Sequence, residues 1–86
     1  MTEPLITYPC DYPIKVLGDV RPEFYDDVFD VVITHDPEMT AERVSQRVSK
    51  KGNFVSISFM LRAVSEQQIA DLFEDLKTVA SVRMVL

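Results

Sequence analysis

The sequence is poor in the residues from which most enzymatic centres are built. It contains one cysteine, Cys10, and one histidine, His35. A lone cysteine closes no internal disulfide, so nothing argues for an oxidising compartment. Cys10 follows Pro9 with no basic neighbour to favour a thiolate, and reads as an ordinary small apolar residue. With one histidine and no Cys-x-x-Cys pair, no metal-ligand spacing can be found. The only glycines are Gly18 and Gly52, so a glycine-rich phosphate cradle is excluded. Apolar runs such as Val31-Val32-Ile33 fall far short of the roughly 20 residues that cross a bilayer. The opening Met-Thr-Glu-Pro-Leu lacks the basic segment and apolar stretch of a secretory leader. These absences give the expectation of a cytoplasmic protein with no catalytic residue, no metal, no cofactor and no membrane contact.

Positive charge is also scarce, and it is unevenly placed. The net charge is -5, which disfavours nucleic acid as a partner. Up to Glu42, the acids Glu3, Asp11, Asp19, Glu23, Asp26, Asp27, Asp30, Asp36, Glu38 and Glu42 face only Lys15 and Arg21. From Arg43 to Ala63 the chain instead carries Arg43, Arg47, Lys50, Lys51 and Arg62 and no acid. Such a segment either guards a sheet edge against aggregation or attracts an anionic partner.

What is present points to one folded unit. The chain has 86 residues, 47% of them hydrophobic and 27% charged, the balance of a small globular domain that buries about 60% of its unfolded surface. Residues 1–8 read as a flexible tail and 9–86 as a single domain. The Arg43–Ala63 segment has the pattern of a β-hairpin. Val55, Ile57, Phe59 and Leu61 alternate with Ser56, Ser58, Met60 and Arg62, the period of a half-buried strand. A two-residue turn at Lys51-Gly52 would set Val48 opposite Val55 and Val44 opposite Phe59, so that the apolar faces coincide.

The other elements follow the same logic. Tyr12, Ile14 and Val16 alternate with Lys15 and Leu17 in a strand over 12–17. A helix over 22–34 opens with Pro22 and an acidic first turn and presents Phe24, Val28, Val31 and Val32, with Phe29 alongside. His35-Asp36-Pro37 stops it, and His35 fits there as a helix-end residue rather than a base. Ser65 with Gln68 makes a capping box for a second helix bearing Ile69, Leu72, Phe73 and Leu76. A last strand spans 81–86. The order βαββαβ with right-handed crossovers predicts an α+β ferredoxin-like sandwich. Its four-stranded antiparallel sheet has the order 4-1-3-2, with both helices on one face.

Three phrases carry a resemblance: Tyr12-Pro13-Ile14-Lys15-Val16-Leu17-Gly18, the stretch Ser49-Lys50-Lys51-Gly52-Asn53-Phe54-Val55-Ser56-Ile57-Ser58, and the terminal Val82-Arg83-Met84-Val85-Leu86. Together they resemble the small bacterial family typified by YbeD, nearly end to end. The resemblance implies a ferredoxin-like fold close to the ACT domains that bind amino acids. It brings no catalytic residue, and implies a regulatory link to lipoate metabolism.

Two candidate sites result. The open sheet face would set Leu17, Met60 and Val85 among Lys15, Arg43, Arg47, Ser56, Ser58, Arg62 and Arg83, a surface for an acidic protein partner or for self-association. Outward positions of the two central strands carry no aromatic in this reading, so RNA stacking is not expected. The second candidate is the turn at Gly18 and Asp19, where an ACT-like sensor would hold an amino acid or other small carboxylate. The expected function is a non-enzymatic regulatory or adaptor module acting through the basic hairpin and open face, with the sensor as the alternative.

Overall fold

The computed structural model describes residues 7–86, so the expected tail over 1–8 lies largely outside the described residues. Tyr8, at its end, packs against the core. The elements run β1 (Cys10–Asp19), α1 (Phe24–His35), a single 3-10 turn (Ala41–Arg43), β2 (Val44–Val48), β3 (Phe54–Ala63), α2 (Glu66–Lys77) and β4 (Val82–Val85). One antiparallel sheet has the order β2-β3-β1-β4, the expected arrangement.

Alternation along the central strands separates two faces. Ile14 and Val16 of β1 and Val55, Ile57, Phe59, Leu61 and Ala63 of β3 are buried under the helices. Phe24, Val28 and Val32, four residues apart on α1, and Leu72 and Leu76 on α2 close the core from above. This is the expected stripe, with Val31, Phe29, Ile69 and Phe73 partly buried at its margins.

Hairpin register is the expected one, Val48 opposite Val55 and Val44 opposite Phe59. Its turn is longer than two residues. The Ser49 amide donates to the Phe54 carbonyl at 2.8 Å and the Gly52 amide to the Ser49 carbonyl at 2.9 Å, leaving Lys50 to Asn53 as the loop. Gly52 takes φ +72, a left-handed conformation that favours glycine. Val48, the last residue of the edge strand β2, is exposed rather than core.

Polar side chains lock the helix ends. The Gln68 amide donates to Ser65 Oγ at 3.1 Å, the expected N-cap bond. Gln68 Oε1 accepts from the Val64 amide, one residue before the cap itself, and Gln68 Nε2 donates to the His35 carbonyl at 2.9 Å. One side chain thus joins the end of α1, the exit of β3 and the start of α2. Ser65→Ala is expected to cost about 1 kcal/mol, read as a shift of about 4–8 °C in thermal unfolding. His35, in the last turn of α1, places Nε2 2.5 Å from Asp75 Oδ2 of α2, so it acts as a tie between the two helices.

Candidate interaction face on the open side of the sheet

Among the described residues, no helix covers the second face of the sheet. Its side chains come from alternate residues of each strand, and the pairing arranges them in rows. Lys15 lies opposite Ser58, and Ser58 opposite Ser45. In the next row Leu17 faces Ser56, which faces Arg47. On the other side Pro13 faces Met60, while Arg43, one residue ahead of β2, donates from Nη2 to the Met60 carbonyl at 2.9 Å. Neighbours in a row are about 4.8 Å apart, and rows are separated by about 6.7 Å along the strands.

The serines make the centre of this face low, and the longer side chains around them make walls. Two adjoining depressions result. One of about 540 Å³ is lined by Pro13, Lys15, Arg43, Ser45, Met60 and Leu86 among others. A second of about 280 Å³ is lined by Lys15, Ser45, Gln46, Arg47, Ser56 and Ser58. Among the described residues, neither is lined by an acid. Among the described residues, the hydroxyls of Ser45, Ser56 and Ser58 make no hydrogen bond within the protein, and Lys15 and Arg47 make no ion pair.

The remaining arginines are already engaged. Arg62 Nη1 lies 3.5 Å from Asp11 Oδ1, its partner across the β1–β3 ladder. Arg83 Nε donates to Asp19 Oδ1 at 2.9 Å. These pairs neutralise Arg62 and Arg83 and leave the positive charge of the face on Lys15 of the central strand β1 and on Arg43 and Arg47 at the β2 edge.

Two expected features of this face are corrected by the structure. Val85 lies opposite Val16 and packs toward the core, not on the open face. The cause is an irregularity in the β1–β4 pairing. Gly18 pairs with Val82, but Leu17 pairs with Met84, so Arg83 is an extra residue and the alternation shifts phase. Both Val82 and Val85 then face the helices, and Met84 and Leu86 take the outer positions, 52% and 60% exposed. The second correction is an aromatic on the open side of β3. Phe54 alternates with buried Val55 and lines a small depression with Leu17, Arg47 and Ser56.

Gly18 and Asp19, expected in a turn, are instead the last two residues of β1, paired with Val55 and Phe54 of β3, and the space beside them is filled by the protein's own groups. Gly18 is buried, and a Cβ there would sit against the Phe24 ring and 2.5 Å from the Ser81 carbonyl oxygen. The Asp19 amide donates to that same carbonyl at 2.9 Å, while its carboxylate receives Arg83. Sequence reasoning also missed Asp36. It is 5% exposed, and its carboxylate accepts from the Arg62 amide at 3.1 Å and the Glu38 amide at 3.3 Å. The signal available was only local: Asp36 precedes Pro37 at a helix end, with nothing to indicate β3 as its partner.

An antiparallel sheet of this order with both helices on one side defines a ferredoxin-like α+β domain. Solved structures share the shape. Protein HP0495 from H. pylori superposes with a TM-score of 0.73 at 18% identity, over 98% of this chain and 88% of that one. The ACT domain from GTP pyrophosphokinase of Chlorobium tepidum gives a TM-score of 0.64 at 16% identity, over 90% of this chain and 97% of that domain.

The chain belongs to the family described as "Protein of unknown function (DUF493)", which it matches over residues 3–86. Similar relatives carry the name UPF0250 protein. That of Janthinobacterium sp. (strain Marseille) is 42% identical over 85 residues, 99% of this chain and 93% of the relative. That of Hahella chejuensis is 42% identical over 83 residues, 96% and 91% of the respective chains. The resemblance to YbeD-like proteins therefore holds along the chain. No helix among the described residues is long and apolar enough to cross a membrane.

Proposed function

We propose that this chain is a non-enzymatic regulatory or adaptor module that binds a protein partner through the open face of its sheet. One observation carries the reading: in an acidic protein, unpaired Lys15 and Arg47 surround three unengaged serine hydroxyls beside an apolar groove. Charge that served only to guard an edge would belong on the edge strand. Lys15 is instead on β1, the inner neighbour of β3 and β4, where no edge needs guarding.

The sensor reading draws on the likeness to ACT domains. Against it stands the geometry of Gly18 and Asp19, whose neighbourhood is occupied by Phe24, the Ser81 carbonyl and Arg83. A small ligand at this end of β1 would have to displace core packing. The open face asks for no such rearrangement.

Site-specific photo-crosslinking in cells tests the proposal. A photoreactive residue replacing Ser58 is expected to yield a discrete adduct with a protein, and the same residue replacing exposed Asp27 on α1 is expected to yield none. Lys15→Glu with Arg47→Glu should abolish the Ser58 adduct while thermal unfolding stays cooperative. This pair is preferable to one including Arg62, which is held by Asp11. Equal labelling from both faces, or none from Ser58, would count against an open-face partner.

A further inference from the structure

We infer that the partner presents an amphipathic helix with a carboxylate and a large apolar side chain one turn apart, laid across the rows of the open face. This rests on the open-face reading above and narrows it to one kind of occupant.

Shape carries the first step. The two depressions share Lys15, Ser45 and Ser58 and run into each other across three strands. They lie along the sheet surface and do not enclose a volume. A small molecule is held where walls cover most of its surface, whereas an open trough on a sheet suits a secondary-structure element placed over it. The opposite face already carries α1 and α2, and a helix on this face gives the three-layer packing that sheets adopt when both sides are covered.

Charge and hydrogen bonding supply the second step. Lys15, Arg43 and Arg47 line the trough, and among the described residues no aspartate or glutamate does. Complementarity therefore selects carboxylates. The hydroxyls of Ser45, Ser56 and Ser58 can donate to a carboxylate oxygen set among them, as aliphatic side chains at these positions could not.

Spacing supplies the third. The polar row Lys15–Ser58–Ser45 and the row containing Pro13 and Met60 are two residues apart along each strand, about 6.7 Å. Residues three or four apart on a helix have Cβ atoms about 5–6 Å apart on one face. A single helix face can thus place an acid over the serines and a leucine or phenylalanine against Met60 and Pro13. Met60 suits this role, because its unbranched side chain adapts to varied apolar surfaces.

The test is selection from a display library of helix-forming peptides on the immobilised full chain, read beside the crosslinks from Ser58. The enriched peptides are expected to carry Asp or Glu and a large apolar residue at i,i+3 or i,i+4. Their affinity is expected to fall about tenfold or more in Lys15→Glu with Arg47→Glu, where two attractions become repulsions. It should stay unchanged in Lys77→Glu, a cation of the helix layer paired with Glu74. Circular dichroism establishes that each variant is folded. Selection of basic or proline-rich extended peptides, no enrichment, or indifference to the charge reversal overturns the inference. Ser58 crosslinks to a segment that is not an acidic helix overturn it while leaving the open-face reading intact. Crosslinks to Asp26 or Asp30 of a second copy replace it with self-assembly. An absence of open-face crosslinks removes both.

Discussion

Gly18→Ala is expected to lower the melting temperature by about 12–24 °C, the equivalent of roughly 3 kcal/mol in a domain of this size. The added methyl has no free direction. It points at the Phe24 ring from one side and lies 2.5 Å from the Ser81 carbonyl on the other. Phe24 is fully buried at the start of α1, and Ser81 leads into β4 while holding the Asp19 amide. Accommodating a methyl group would push α1 and β4 off β1 together. The double variant Gly18→Ala with Phe24→Leu separates the two obstructions. Trimming the ring should make the alanine cheaper than it is in the otherwise unaltered protein, so the two changes are non-additive. Strict additivity in thermal or urea unfolding would show that the ring is not what the methyl meets. A large loss of stability at Gly18 also means that loss of a metabolite response on enlarging this residue would not by itself identify a ligand site.

Asp36→Ala should cost about 2–3 kcal/mol, which thermal unfolding would register as a fall of about 8–24 °C. The aspartate is almost fully buried, and its two carboxylate oxygens accept from the amides of Glu38 and Arg62. Alanine leaves both donors short of a partner where water has poor access, and an unmet buried donor costs more than a made bond contributes. The Arg62 amide is the more telling of the two, since it belongs to β3, while Asp36 follows α1. Asp36→Asn is expected to fall between the parent and the alanine variant. Its single carbonyl oxygen can serve one donor well, and its amide nitrogen cannot serve the other. Hydrogen exchange at the Arg62 amide, slow in the parent and fast in Asp36→Ala, would locate the effect. An alanine variant within 0.5 kcal/mol of the parent, the usual range for surface changes, would show that these bonds contribute little.

The strands and helices were legible because each has a single buried face whose period is written in the order of its apolar residues. The hairpin register was fixed twice over, by Val48 against Val55 and by Val44 against Phe59. Two kinds of feature could not be read this way. One is phase. Val82, Arg83, Met84 and Val85 look like an even alternation, and only the shift between Leu17 and Gly18 reveals that Val82 and Val85 share the inner face. The other is polar contact between distant segments. Asp36 with Arg62, and Gln68 with His35, depend on how the layers close, which no local pattern records. The candidate face lies between these cases. Its residues followed from alternation on β1 and β3, but its charge depended on the register between those strands. Placing Ile14 opposite Phe59 brings Asp11 opposite Arg62, and that alignment was the available signal that Arg62 is engaged and Lys15 is not.

The sheet order also sets how the chain can assemble. Strands β2 and β3 meet across a loop of Lys50 to Asn53, whereas β1 must find β3 across the whole of α1 and β2. Closing roughly 35 residues between Asp19 and Phe54 costs about 2 kcal/mol more in chain entropy than closing the hairpin. The hairpin is therefore the inexpensive first contact and the arrival of β1 the slow one. Until β1 arrives, β3 exposes an unpaired edge of ten residues with Val55, Ile57, Phe59 and Leu61 along it. The interval in which this small protein is open to aggregation is thus set by the speed with which its first strand reaches its third.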